Sequence, residues 1–201
     1  AGGAYVPLDP SDPQARRDFV VRDSGIEIVL SGGQAILPVR TDKIVCPPLD
    51  ELKEIALACE KCRLAKSRTQ VVYGVGNPKA DLIFIGEAPG RDEDLQGEPF
   101  VGRAGQLLTD IIKAMKLTRD DVYIANVIKC RPPENRNPEP DELDACRPYI
   151  RRQIEFIKPK VIVTLGKFAL QSMSGKAHAI SAARGQWTTY ENIKVMPTYH
   201  P

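Results

Sequence analysis

Two acidic residues and an aromatic residue lie close together in a segment rich in glycine and proline. The run Gly-Glu-Ala-Pro-Gly at 86–90 directly follows the apolar stretch 81–85 and precedes Glu93 and Phe100. A buried strand that ends in such a loop brings polar groups to the carboxyl edge of a sheet, where open α/β folds bind ligands. Glu87 and Glu93 beside an aromatic ring therefore indicate chemistry on a flat, polar ligand. A strand-to-helix turn with solvated acids is the alternative interpretation.

Two further polar residues are expected at the same edge. Asn126 lies towards the end of a second apolar segment, and His200 closely follows a later one. The alternation of strand and helix patterns predicts a parallel sheet with right-handed crossovers, in which all strand carboxyl ends emerge together. A carboxylate, an amide and an imidazole should therefore converge. The predicted strands are 81–85, 122–128, 160–165 and 193–196, and the predicted helices are 49–58, 103–116, 139–157 and 166–173.

Four of the five cysteines have a spacing typical of a metal site. Cys59 and Cys62 form a CxxC pair, and Cys130 and Cys146 are separated by fifteen residues. The CxxC pair follows a helical pattern rather than a first strand, which argues against a thioredoxin-type redox motif. Four thiolates can hold either a tetrahedral zinc ion or a [4Fe–4S] cluster, and spacing does not separate the two. Cys46 is left over as a structural or incidental thiol.

Composition limits the class of protein. The chain has 201 residues, 42% of them hydrophobic, and a net charge of only +2, which is too small to prove a polyanionic partner. No stretch approaches the roughly 18 apolar residues of a membrane span, and no secretion signal is recognisable, so we expect a soluble, cytoplasmic protein. A Gly-Lys-Ser/Thr phosphate loop is absent, which disfavours chemistry on nucleoside triphosphates. Residues 1–48 lack periodicity and are interpreted as an extension or linker, and residues 49–201 as the functional domain.

Read in order, the motifs resemble the iron–sulfur uracil-DNA glycosylases of family 4, the thermostable type. The resemblance covers about residues 49–201, and its specificity comes from the complete set occurring in this order. The fold that it implies is α/β, with three α/β/α layers around a four-stranded parallel sheet. The motifs that carry it are Cys59-x-x-Cys62, Gly86-Glu-Ala-Pro-Gly90, Gly97-x-Pro99-Phe-Val-Gly102, Asn126, Cys130-Arg-Pro-Pro133, Cys146 and His200-Pro201.

The resemblance implies a DNA repair enzyme that flips uracil out of DNA and hydrolyses its N-glycosidic bond, leaving an abasic site. Its substrate would be uracil-containing DNA, single- or double-stranded, and the protein would act as a monomer without a membrane. The resemblance also implies a [4Fe–4S] cluster, with zinc as the alternative. The cluster ligands implied by the family are Cys59, Cys62, Cys130 and Cys146.

The same resemblance assigns roles around the base. Phe100 would stack on uracil, although a core aromatic is the alternative, and Asn126 would read the base edge that distinguishes uracil from cytosine. His200 would donate a hydrogen bond near O2 as negative charge develops on the base. Glu87 is favoured over Glu93 as the acidic group near C1′, and either could instead be a surface acid. The backbone around Gly86, Glu87 and Ala88 would bind the base edge.

Two other functions remain compatible with the sequence. One is a non-catalytic iron–sulfur protein that binds DNA or damaged bases, and the other is a glycosylase for another deaminated base, such as hypoxanthine or xanthine. A related branch of glycosylases traps uracil-DNA covalently, using Gly-Glu-Gln-Pro-Gly and a loop that carries a histidine. Here Ala88 replaces the glutamine and residues 129–137 contain no histidine. A hydrolase that turns over is therefore the better interpretation.

Overall fold

The computed structural model describes residues 29–31, 34–36, 48–175 and 179–201. Cys46 lies outside these ranges. The chain divides between Val45 and Cys46 into two units. The described part of the first unit consists of two strands, β1 (Val29–Ser31) and β2 (Gln34–Ile36), which pair in antiparallel fashion.

The described part of the second unit alternates strands and helices. The helices are α1 (Leu49–Leu57), α2 (Arg91–Gln96), α3 (Arg103–Ala114), α4 (Pro140–Ile157), α5 (Lys167–Ser174) and α6 (Ile180–Ala183). The strands are β3 (Val75–Gly76), β4 (Leu82–Gly86), β5 (Tyr123–Asn126), β6 (Val161–Leu165), β7 (Thr188–Tyr190) and β8 (Ile193–Thr198). Short 3₁₀ turns cover Arg63–Lys66 and Pro133–Asn135. Within the described ranges, no helix is long and apolar enough to cross a membrane.

The central sheet has the strand order β3-β5-β4-β6-β8-β7. Its four middle strands, β5, β4, β6 and β8, are parallel, and the two edge strands, β3 and β7, run antiparallel to their neighbours. The predicted α/β class is therefore confirmed. The prediction of four strands is wrong for the whole sheet, because one antiparallel strand is added at each edge.

The two edge strands escape sequence analysis because they are short. β3 has two residues and β7 has three, which is too few for a period of two to be recognised. β7 turns into β8 through Glu191 and Asn192, whose φ angles are 47° and 69°. Positive φ at both central residues is typical of the mirror-image turns that join antiparallel strands in two residues.

Each face of the sheet is covered by helices, so the expected three layers are present. Alternation along β4 directs Ile83 and Ile85 into the core shared with α1, α4 and α5, and directs Phe84 into the core shared with α3. Helix α3 buries only one row of side chains, Leu108 and Ile112. Three other apolar residues of the predicted helix 103–116 are exposed, namely Leu107 at 50%, Ile111 at 41% and Met115, just after α3, at 44%.

The start of α4 is held by a buried carboxylate. The Glu142 side chain is 0% exposed and accepts hydrogen bonds from Arg136 Nη1 and Nη2, at 2.9 and 2.6 Å. It also accepts the backbone N–H of Glu139 at 2.9 Å. Hydrogen bonding to Arg136 is the main reason that the pKa of Glu142 lies below its usual value. This interaction therefore anchors the segment between Cys130 and α4.

We expect Glu142→Gln to lower the free energy of unfolding by about 1–3 kcal/mol at pH 7, because the buried side chain at this position loses the charge that Arg136 binds and turns an amide NH₂ group towards a donor. The folded-state pKa of Glu142 is depressed, so its contribution is complete above the unfolded value of about 4.3 and disappears as pH falls through the folded value. The difference between variant and wild type should therefore shrink in acid. Urea unfolding at several pH values measures it.

The matched control is Asp144→Asn, on the same helix. Asp144 pairs with Arg147 at 3.1 Å, but both side chains are exposed, so stability should hardly change. Equal losses for the two variants, or a Glu142→Gln loss that persists unchanged in acid, would contradict the anchoring role.

Candidate active site and four-cysteine site

Parallel strands end at one rim of the sheet and bring the predicted site residues there. β4 ends at Gly86, β5 ends at Asn126, and β8 ends two residues before His200. A cavity of about 340 Å³ opens at this rim. The residues that line it include Glu87, Ala88, Glu93, Phe100, Asn126 and His200. The structure therefore brings together residues that are up to 113 positions apart in the sequence.

Gly86 lies where the aromatic ring and the amide meet. A Cβ atom at this position would be 2.6 Å from Phe100 Cζ and would also overlap Asn126 Oδ1. The sheet register pairs Gly86 with Asn126 directly, which is why the two are so close. Only glycine lets Phe100 and Asn126 approach the same point, and this close approach shapes the floor of the cavity.

Glu87 combines partial burial with a free carboxylate. Burial raises its pKa above the ordinary value, and no hydrogen bond or ion pair from another described residue opposes this shift. Its backbone carbonyl accepts the N–H of Ile128 at 3.1 Å, so the main chain is fixed although the carboxylate is not. The carboxylate is therefore available to a ligand in the cavity.

Glu93 is placed differently from Glu87. Its Oε2 accepts the N–H of Gly90 at 3.1 Å, and its Oε1 accepts the N–H groups of Val101 and Gly102 at 2.9 and 3.0 Å. These bonds join the loop 86–90 to the segment that follows Phe100. The carboxylate of Glu93 thus positions two walls of the cavity that it also lines.

Phe100 has an unusual backbone that other residues support. Its φ is 56°, a left-handed conformation that costs a non-glycine residue about 1–3 kcal/mol. Arg119 donates from Nη2 to Pro99 O at 2.9 Å and from Nη1 to Phe100 O at 3.2 Å. Behind the turn, a Cβ on Gly105 would overlap Phe100 O, so glycine is required there as well. These contacts determine where the Phe100 ring lies.

Asn126 carries an unsatisfied buried atom. The residue is 1% exposed, and its Oδ1 has no hydrogen-bond partner among the described residues. An unpaired buried amide oxygen lowers the stability of a protein by roughly 1–3 kcal/mol, so such atoms are rare in native structures. Because Asn126 lines the cavity, a ligand with an N–H group is the partner that the geometry favours.

His200 supplies the imidazole of the site. Its ring stacks against Phe100, with centroids 5.7 Å apart and planes inclined by 30°. Its Nδ1 lies 2.9 Å from Pro201 O. Gly166, which has a φ of 91° and precedes α5, packs against His200, where an added Cβ would be 3.4 Å from the histidine Cβ. Stacking and packing both orient the exposed imidazole towards the cavity that it lines.

The four predicted metal ligands gather at a second, smaller cavity. Cys59, Cys62, Cys130 and Cys146 all line it, and none forms a disulfide. Arg68 Nη1 lies 3.4 Å from Cys130 Sγ and donates to Cys59 O at 2.7 Å, which orders this site. A zinc ion needs all four sulfurs about 2.3 Å from one point. No group of three or more histidine, cysteine or acidic residues in the described ranges is arranged around a single ion in that way.

Comparison with known proteins identifies the family. The profile of the Uracil DNA glycosylase superfamily matches residues 73–201. The chain belongs to this superfamily. The resemblance to family 4 is confirmed, because the chain is 49% identical over 161 residues to a type-4 uracil-DNA glycosylase of Archaeoglobus fulgidus, covering 76% of this chain and 81% of that protein. Type-4 enzymes of Sulfurisphaera tokodaii and Saccharolobus solfataricus are 51% and 48% identical over 162 residues, each covering 76% of this chain and 74% and 75% of theirs.

Some residues at or beside the main cavity were missed by sequence analysis. Asn135 and Asn137, in the segment after Cys130, also line the main cavity. The polar, proline-rich sequence of this segment does indicate irregular structure. Asn135 has a φ of 55°, a conformation that asparagine tolerates better than most residues. Arg119 carried no signal, because an arginine in a turn after a helix is usually a solvated surface residue.

We expect Arg119→Met to loosen the turn around Phe100. The amides of Val101 and Gly102, which Glu93 binds, should exchange with solvent roughly tenfold faster, because the turn loses the donor that braces its carbonyls. Amides in β4 and β5 should keep their protection. Hydrogen exchange followed by mass spectrometry measures both regions. Lys113→Met, which removes an exposed cation from α3, is the control, and identical exchange in the two variants would refute the bracing role.

Proposed function

We propose that this protein is a uracil-DNA glycosylase, which flips uracil out of DNA and hydrolyses its N-glycosidic bond to leave an abasic site. The observation that carries this proposal is the buried Asn126 Oδ1 without a partner, in a cavity that also contains Phe100, Glu87 and His200. The relatives that the chain matches over three quarters of its length are named type-4 uracil-DNA glycosylases, which supports the same activity.

Recognition of the base follows from hydrogen-bonding geometry. The side-chain Oδ1 of Asn126 accepts the N3–H of uracil, and the side-chain NH₂ group donates to O4. Cytosine offers the opposite pattern at both positions. A wrong base leaves buried polar groups unpaired, at a cost of roughly 1–3 kcal/mol for each group. Phe100 stacks on the face of the base, and the main chain at Glu87 and Ala88 approaches its edge. Flipping costs a few kcal/mol, least for a mispaired base such as uracil opposite guanine.

Bond cleavage needs two kinds of electrostatic support. Negative charge develops on the uracil ring, and His200 donates a hydrogen bond to O2 to stabilise it. Positive charge develops on the sugar, and the free carboxylate of Glu87 stabilises this charge and orients the attacking water near C1′. Because burial raises the pKa of Glu87, its ionised form is lost at a higher pH than that of a solvated glutamate. Glu93 assists by positioning the loop, since its oxygens already accept three backbone N–H groups.

The cysteine site fits a [4Fe–4S] cluster bound by Cys59, Cys62, Cys130 and Cys146. All four line one cavity, and four thiolates are the ligand set that such a cluster takes. When bound, such a cluster would connect the segment after α1, the segment after β5 and helix α4. Arg68, whose Nη1 lies close to Cys130 Sγ, would offset part of the negative charge of the thiolates.

The proposal extends to the setting of the enzyme. Its substrate is uracil in single- or double-stranded DNA, and it acts as a monomer in the cytoplasm. Residues 49–201 form the catalytic domain, and residues 1–48 are an extension of it. The uneven, open cavity of about 340 Å³ is larger than a pyrimidine, so other deaminated bases belong in the test.

Incubation with uracil-containing oligonucleotides, followed by alkaline cleavage of abasic sites, tests the activity. We expect strand scission by the wild type and a loss of about 10²–10³ in rate for Glu87→Ala or Asn126→Ala, because each removes a group aimed at the reacting base or sugar. Glu54→Ala, which changes an exposed glutamate on α1, is the control. Binding of the DNA without scission above the variants would favour a non-catalytic binder. Scission only of hypoxanthine or xanthine substrates would change the assigned base.

Analysis of the purified protein tests the cluster. We expect a brown protein that contains iron and sulfide in equal amounts, with the broad visible absorption of thiolate-bound iron. Cys146→Ala should lose the colour and much of the yield of folded protein, because the ligands contribute to folding. Cys46→Ala should keep both, which makes it the matched control. A colourless protein that contains zinc would contradict the cluster.

A further inference from the structure

Lys129 is a charged residue buried between the two sites. Its side chain is 1% exposed, and its Nζ donates to Asn126 O at 2.8 Å and to Gln153 Oε1 at 2.6 Å. Buried lysines are rare, because the ammonium group loses its hydration, so they persist where their hydrogen bonds are needed. The hydrogen bonds of Lys129 to Asn126 and Gln153 therefore indicate its role.

The backbone carbonyl of Asn126 depends on Lys129 because β5, which pairs with β4 on one side, has no neighbouring strand on its other side at this point. The N–H of Val127 donates to Gly86 O on β4, at 2.9 Å. In a trans peptide the carbonyl points to the opposite side, so Asn126 O faces the side of β3. The β3 strand, however, pairs only with Tyr123 and Ile124 and ends before it reaches Asn126. Lys129 Nζ supplies the hydrogen bond that a longer strand would have provided.

The backbone of Lys129 reaches the cysteine site. Its N–H lies 3.4 Å from Cys146 Sγ, and its carbonyl accepts the N–H of Val72 at 2.8 Å. Cys130 is the next residue in the chain. One residue therefore contacts a thiol of the four-cysteine site through its main chain and the peptide of Asn126 through its side chain.

We propose that Lys129 is a positioning residue that fixes the peptide after Asn126, so that the Asn126 amide faces the base, and that it ties this orientation to the four-cysteine site. The proposal deepens the glycosylase function and rests on it. Lys129 does not touch the base. Its effect on the base passes through Asn126, and this distinguishes it from a residue that merely stabilises the fold.

A double-mutant cycle tests this dependence. In the otherwise wild-type enzyme, Lys129→Met should lower the single-turnover excision rate on a uracil oligonucleotide roughly tenfold, because a buried carbonyl loses its donor. It should leave KM for DNA nearly unchanged. In the Asn126→Ala background, the same change should have almost no further effect, because the group that Lys129 positions is gone. Equal fold-losses in both backgrounds would overturn the proposal.

Gln153→Met is the matched control. It perturbs the same buried network, since Gln153 Nε2 also donates to Tyr73 O and Tyr123 OH, but it keeps the bond from Lys129 to Asn126. Its melting temperature should fall while its excision rate stays near that of the wild type. A rate loss in Gln153→Met as large as in Lys129→Met would count against positioning. If Lys129→Met alone does not fold, the cycle is run with Lys129→Met combined with Gln153→Leu, which removes both members of the pair.

A second measurement separates this proposal from the glycosylase function. The side-chain amide resonances of Asn126 should shift or broaden in Lys129→Met and stay in place in Gln153→Met, whether or not the protein excises uracil. A wild type without excision activity would refute the proposed function. Unchanged Asn126 resonances in Lys129→Met would refute the positioning role even in an active enzyme.

Discussion

The parallel pairing of β4 with β5 is the constraint on which the site depends. It sets Gly86 beside Asn126, and this pair lies against the Phe100 ring at the floor of the cavity. The loop after β4 then carries Glu87 to the rim, and the missing side chain of Gly86 leaves space for the Phe100 ring. A shift of one residue in this register would exchange the faces of the strand and separate the amide from the ring.

Several polar side chains near the cavity form hydrogen bonds with the backbone instead of pointing free polar atoms at a ligand. Glu93 binds three backbone N–H groups, Arg119 binds two carbonyls next to Phe100, and Lys129 binds one carbonyl at Asn126. Among the described residues that line the cavity, Asn126 Oδ1 has no hydrogen-bond partner, and burial is the one cause that shifts the pKa of the Glu87 carboxylate. The backbone around the cavity is therefore held in place, while a few polar atoms stay available to a ligand. A pre-organised binding site requires this combination.

The sequence was sufficient for the central strands, for the long helices and for the convergence of distant residues at one rim. These predictions rest on hydrophobic periodicity and on the geometry of parallel sheets. Edge strands were missed because two or three residues carry no period, and the wide apolar pattern of α3 overstated how much of it is buried. The roles of Arg119 and Lys129 could not be predicted, because both depend on which carbonyl lacks a partner, and only the folded backbone reveals that.

The same reasoning explains why the two glutamates could not be ranked from sequence. Glu87 and Glu93 are six residues apart in one loop, and both are acids beside an aromatic ring. Hydrogen bonds and burial distinguish them in the folded protein. The Glu93 carboxylate accepts three backbone N–H groups, whereas burial alone raises the pKa of Glu87.

The four-cysteine site and the cavity that contains Asn126 are joined by a short segment of chain. Asn126 and Cys130 are four residues apart, so only three residues separate the cavity at the rim of the sheet from the first of these thiols. Between them, the N–H groups of Val127 and Ile128 donate to the carbonyls of Gly86 and Glu87, and Lys129 contacts both Asn126 and Cys146. A displacement of Cys130 or Cys146 would therefore reach Asn126 through these hydrogen bonds. The arrangement of the four cysteines and the orientation of Asn126 thus depend on the same short segment.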